Sequence, residues 1–221
     1  PGNVEDAATY DGGHVSHTGQ LFFDDAVSDE VYRAHMAGQS TCLLLERELP
    51  RIVDILEVAG VRPVLLKGPV SAHDGPLPPH LRDFGDLDLL VPADQMDVAV
   101  ATLLADGFER CFPQVSADFD RRFAKSVTLR RRFSGDWRDR DAPTFEVDLH
   151  RTLTPGPFGE MVALAELHAH AVPVRVHGRW YRALCPTHRF LHACLHTVLG
   201  SAEPRLHSVR DLIATAPRTP T

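Results

Sequence analysis

Asp86 and Asp88 stand two residues apart in LRDFGDLDLLVP (81–92), among Leu87, Leu89, Leu90 and Val91. The apolar neighbours predict a buried strand over 86–91, where alternate side chains share a face and both carboxylates point the same way. Like charges that close repel, and burial raises the penalty. A second candidate strand, TFEVDLHR (144–151), presents Glu146, Asp148 and His150 on one face between Phe145, Val147 and Leu149. Upstream, the apolar segment VRPVLL (61–66) ends in Lys67 and Gly68. A divalent cation is a direct way to balance such clustered carboxylates. Mg²⁺ prefers hard oxygen ligands, a few carboxylates plus substrate phosphates. Two such ions about 4 Å apart can activate an attacking oxygen and stabilise a leaving pyrophosphate.

The elements that must position these groups follow from pattern and punctuation. Residues 1–20, rich in Gly, His, Thr and Asp without an apolar period, read as a mobile arm. An N-terminal helical region covers 21–60, with Ser28 as its N-cap, a break or kink near Pro50 and Gly60 just past its end. Pro69 suits the first position of a short helix after Gly68. Pro92 leads into ADQMDVAVATLLAD (93–106), where Met96, Val100, Leu103 and Leu104 form an apolar stripe that Gly107 ends. SVTLRRRF (126–133) and TFEVDLHR read as two strands joined by the polar loop SGDWRDRDAP. A helix near 158–170, a hairpin turning at Gly178 and two helices near 187–199 and 205–216 complete the chain. This order predicts an α/β (α+β) fold, a mixed β-sheet core over 61–156 with N-terminal and C-terminal helical extensions. The C-terminal extension, 157–221, holds the hairpin and the last helices.

Composition narrows the function. The 221 residues are 43% apolar and 24% charged, ordinary values for a soluble globular fold. No apolar run approaches the roughly 18 to 20 residues a bilayer span needs, and no signal-peptide pattern opens the chain. Cys42, Cys111, Cys185 and Cys194 are scattered without a C-x-x-C pair. That argues against a disulfide framework or zinc ribbon and for a reducing cytoplasm. A net charge of −7 speaks against nucleic acid as a partner. Within RRFAKSVTLRRRF (121–133), Arg130 and Arg132 read as a solvated strand face.

Taken in order, VLLKGPV, LRDFGDLDLLVP and FEVDLHR resemble the nucleotidyltransferase superfamily, the DNA-polymerase-beta-like fold. Within it they are similar to the group of uncharacterised nucleotidyltransferases, over about residues 60–200. The resemblance implies that Asp86 and Asp88 hold metal, one Mg²⁺ ion or two. It implies that Asp148 is the third carboxylate, ligating metal or deprotonating the acceptor hydroxyl, with Glu146 on the same face as its competitor. Gly68 would let the backbone approach a triphosphate. Lys67 would touch phosphate or pair with an acid of the site, and Arg82 would contact the triphosphate or brace the loop. The pattern usually has Gly or Ser where Pro69 stands, so Ser71 and later helix N–H groups would serve the phosphates instead. His150 would be a hydrogen-bonded neighbour, and His196 would edge the site. The implied reaction moves a nucleoside monophosphate, AMP from ATP, onto an acceptor hydroxyl or other nucleophile of a small molecule, peptide or protein.

Two other readings stay open. One is a non-catalytic relative that binds a nucleotide or a protein partner, with Pro69 as its mark. The other is a zinc hydrolase on the late helix, where His188, His192 and His196 recur every four residues on one face. HACLH (192–196) lacks the Glu that serves as base in H-E-x-x-H enzymes.

Overall fold

A stripe of Leu45, Leu49, Ile52, Val53 and Leu56 sets the frame of the molecule, since all five are buried against the sheet in one core. The protein is seen here in a computed structural model that describes residues 9–10, 13–15, 21–23, 25–133, 142–200, 203 and 205–216. The stripe lies on α1 (Asp25–Val58). Of the break or kink expected near Pro50, the break does not occur: α1 runs as one helix through it. An interior proline costs about 3 kcal/mol, while each fully buried aliphatic side chain returns about 1.5–3 kcal/mol, so the stripe outweighs it. Ser28 is not an N-cap either; it lies inside α1, which already begins at Asp25. Gly60 does end the helix, at φ 83, with its N–H on Glu57 O and the Val61 N–H on Leu56 O.

Three short strands, β1 (Thr9–Tyr10), β2 (Gly13–Val15) and β3 (Leu21–Phe23), pair antiparallel in a small sheet. Two of them fall within the stretch read as a mobile arm. The rest of 1–20 lies outside the described residues.

The main sheet has seven strands. In chain order they are β4 (Val64–Leu65), β5 (Asp86–Leu90), β6 (Glu109–Arg110), β7 (Ser126–Arg132), β8 (Thr144–His150), β9 (Val172–Val176) and β10 (Arg179–Ala183). Across the sheet they run β6-β7-β8-β5-β4-β10-β9, with β5 parallel to β8, β10 parallel to β4, and the other neighbours antiparallel. The mixed sheet expected from the sequence is therefore present. The expected loop between β7 and β8 falls largely on 134–141, outside the described residues.

Short α2 (Pro69–His73) follows β4, and α3 (Met96–Ala105) follows β5. Between β6 and β7 lies α4 (Ala117–Arg122), which the sequence pattern did not announce; its Ser116 side chain caps the Phe119 N–H. The helix expected over 158–170 is shorter: a 3₁₀ turn at Pro157–Glu160, entered from Gly156 at φ 69, precedes α5 (Leu164–Ala169). The chain ends in α6 (Pro186–Leu199) and α7 (Leu206–Thr215). Among the described residues, no helix is long and apolar enough to cross a membrane.

Alternation along β5 and β8 decides what each face carries. Leu87 and Leu89, with Val147 and Leu149, join the core under α1 and α3. Leu90 turns the other way into a smaller cluster with Val64, Leu66, Leu153, Leu167 and Leu184. Asp86 and Asp88 share that second face. Off the site, Arg131 of β7 ties the layers together: its guanidinium donates to Glu48 (2.8 Å) and Asp106 (2.9 Å), and Arg51 also reaches Asp106.

Candidate functional site

The parallel register of β5 and β8 puts Asp88 beside Asp148, Asp86 beside Glu146 and Leu90 beside His150. On the far side of β8, Thr128 of β7 faces Asp148 and donates its hydroxyl to Asp148 Oδ1. The carboxylates expected from separate segments thus meet on one sheet face, because strand pairing aligns them. Asp88 sits at the centre. Its Oδ2 is 3.1 Å from Lys67 Nζ and its Oδ1 is 2.6 Å from His150 Nε2. His150 Nε2 is also 3.9 Å from Asp148 Oδ2, and one ligand atom each from Asp88, Asp148 and His150 lie within 4.8 Å of one another.

Protein cations therefore meet part of the compensation that the bare carboxylates demand. Lys67 and His150 hold one oxygen each of Asp88, which is buried. The other ring nitrogen of His150, Nδ1, faces Thr152 O at 3.2 Å. Burial disfavours the charged form of Asp88, yet the charge and hydrogen bond of His150, with Lys67, outweigh it and hold the carboxyl well below the usual range. Asp86 differs. Burial first, then the neighbouring Asp88 charge, push its carboxyl up to about 6.

Gly68 closes the turn from β4 into α2 at φ 54, the left-handed region that favours glycine, and a Cβ there would lie 3.3 Å from the Phe84 ring. Pro69 opens α2 as expected. Ser71 stands one turn on, lining a cavity of about 300 Å³ with Asp74, Arg82, Arg189, Arg210 and Asp211. A smaller cleft, lined by Lys67, Ser71, His192, His196 and Asp211, adjoins it. Arg82 does not point free into that space. Its Nε and a terminal nitrogen donate to both oxygens of Asp211 on α7, at 2.9 and 2.6 Å, so it braces the loop before β5. Glu146 is exposed, with Cys111 Sγ 3.7 Å from its Oε1, while Asp148 faces Asp88.

The late helix packs against this site. Burial, then the Lys67 charge, lower both His192 and His196, the latter to about 4, so both rings are neutral at physiological pH. Among the described residues, the clusters of three potential ligand atoms are Asp88–Asp148–His150 and Glu46–His73–His177, neither of which takes in the α6 histidines.

A family model for uncharacterised nucleotidyltransferases matches residues 14–215. The chain belongs to this family. Among solved structures, the crystal structure of an antigenic nucleotidyltransferase-like protein from Paracoccidioides brasiliensis is similar at 14% identity, covering 77% of this chain and 74% of that one, with a TM-score of 0.46. No relative among the curated proteins matches.

In this member of the family, sequence reading missed Thr128, Arg189 and Asp211 and weighed His192 only as a zinc ligand. Thr128 looks like any strand threonine until register sets it beside Asp148. Arg189, on α6, pairs with Asp74 at 2.6 Å, and Asp211 is 129 positions from the arginine it holds. Only the spacing of the α6 histidines carried any signal, and it pointed to a face rather than to a role.

Proposed function

We propose that this nucleotidyltransferase family member transfers AMP from ATP to an acceptor nucleophile, with Mg²⁺ held by Asp86, Asp88 and Asp148. The observation that carries the reading is Asp88 in register with Asp148 on adjacent parallel strands, beside Lys67 and Gly68 at the turn into α2. Hard carboxylate oxygens fit a hard divalent cation, which would offset both the burial and, after it, the Asp88 charge that raise the Asp86 carboxyl. Bound there, Mg²⁺ supplies charge neutralisation for the triphosphate.

The protein's own groups do the rest. Asp148 takes the proton of the acceptor hydroxyl as its oxygen attacks the α-phosphorus. The bond from that phosphorus to the β-bridging oxygen breaks, and pyrophosphate leaves with the bond electrons. The Thr128 hydroxyl holds the Asp148 carboxylate in orientation. Lys67, between Asp88 and the cleft, exchanges its carboxylate partner for phosphate oxygens as substrate arrives. The cavity beside the turn is lined by Ser71 and by arginines already paired with acids, Arg82 with Asp211 and Arg189 with Asp74, so an anionic occupant would have to compete with those carboxylates. Most of the rate enhancement in such a site comes from positioning and charge stabilisation.

The test is pyrophosphate release and mass-shift screening with ATP and Mg²⁺ against hydroxyl-bearing small molecules, peptides and the protein itself. Adenylylated product that vanishes in Asp148→Asn is the expected result. The second reading, a nucleotide- or partner-binding relative without turnover, draws on the same Lys67 and His150 contacts, which compensate Asp88 without a metal ion. ATP binding by calorimetry with no Mg²⁺ dependence, and no product with any acceptor, favours that reading.

A further inference from the structure

Glu46, His73 and His177 converge away from the carboxylate face, from three separate parts of the chain. Glu46 lies on α1, His73 is the last residue of α2, and His177 sits in the turn between β9 and β10. His73 Nε2 is 2.7 Å from Glu46 Oε1, and His177 Nε2 contacts Glu46 Oε2. One ligand atom from each of the three lies within 4.8 Å of the others. The two rings meet edge to face with centroids 4.6 Å apart.

We propose that Glu46, His73 and His177 bind a zinc-type transition-metal ion. Two imidazole nitrogens and one carboxylate oxygen are a donor set that Zn²⁺ accepts and Mg²⁺ avoids, so the site is chemically separate from the carboxylate face. Each histidine presents Nε2 to a different oxygen of the Glu46 carboxylate at hydrogen-bond separation; ligands about 2.1 Å from one zinc stand roughly 3.4 Å apart, so the three side chains need move apart by only about 1 Å to admit an ion. The backbone points the same way. His177 is the only non-glycine residue at positive φ among the described residues, at 44. That conformation is uncommon outside glycine, though His, like Asn, is among the side chains that adopt it, and it places the His177 ring against Glu46. Glu46 and His73 are nearly covered, at 7% and 14% side-chain exposure, while His177 is 56% exposed and leaves a route for water as a fourth ligand. An ion here pins the β9–β10 turn and the end of α2 to α1. The other end of α2 begins beside Lys67 and Gly68, so the metal steadies the helix that follows the nucleotide-binding turn.

The test uses the full chain without a polyhistidine tag, stripped with EDTA, reloaded with Zn²⁺ or Co²⁺ and gel-filtered. One retained equivalent of zinc is expected in wild type and in Asp148→Asn. Cobalt should give the visible absorption of a four-coordinate centre with nitrogen donors. His177→Asn keeps a residue that tolerates the turn and is expected to lower affinity by more than about 100-fold, as is Glu46→Gln. Circular dichroism confirms that each variant is folded before loading. Folded wild type that retains no zinc overturns the proposal and leaves a hydrogen-bonded clasp. So does His177→Asn binding as wild type, or loss of the equivalent in Asp148→Asn.

Discussion

Replacing Asp86 by Asn stabilises the metal-free protein at pH 8, and replacing Asp88 by Asn destabilises it. Burial and the Asp88 charge lift the Asp86 carboxyl from its ordinary 3.8 to about 6. At about 1.4 kcal/mol per pH unit, that difference sets a ceiling near 3 kcal/mol, and relaxation around a partly exposed group leaves about 1–2 kcal/mol. The folded state binds this proton more tightly than the unfolded chain, so ionised Asp86 opposes folding. The cost is complete above pH 6, shrinks as pH falls through 6, and is gone below 3.8. Asp86→Asn removes it, and its advantage over wild type must close over the same window. Asp88 has the reverse sign. Its folded carboxyl is held below the unfolded one by His150 and Lys67 despite burial, so its contribution is present at neutral pH and lost only in strong acid. Removing it strands a fully buried His150 and costs about 3–5 kcal/mol, the penalty for breaking a buried pair by one partner. Urea unfolding in EDTA at pH 8 and pH 5, followed by circular dichroism, reads both effects. If Asp86→Asn falls as far as Asp88→Asn at pH 8, or its margin over wild type does not shrink at pH 5, the electrostatic account of the site is wrong.

Three further outcomes are expected. Asp148→Asn lowers pyrophosphate release at least about 100-fold while Glu146→Gln leaves it within a few-fold, since only the former faces Asp88; steady-state assays with a turned-over acceptor decide between them. Gly68→Ala costs about 1–2 kcal/mol in a thermal or urea melt, because alanine resists φ 54 and its Cβ would press on Phe84. Leu89→Ala, fully buried between α1 and the sheet, costs about 2–5 kcal/mol by the same measurement and leaves no change in the pH dependence.

Local pattern determined a good deal of this protein. Apolar alternation in 86–91 and 144–151 announced strands whose polar positions had to share a face, and Gly60, Gly107 and Gly178 marked the ends and turns where φ is positive. The spacing of Asp86, Asp88 and Asp148 with Lys67 and Gly68 was enough to indicate the family. These are short-range signals, carried by periodicity and by residues with special backbone freedom. Tertiary structure alone decided the rest. Register across β5, β8 and β7 made Asp148 rather than Glu146 the neighbour of Asp88 and brought Thr128 to it. Burial of one stripe kept α1 whole through Pro50, where local propensity favoured a break. The side-chain partners of Asp88, of Arg82 and of Glu46 lie between 21 and 131 positions away, and no local rule names them. Such pairs form because packing apolar faces first fixes where the backbones lie, and buried charges must then be satisfied by whatever side chains that packing brings within reach.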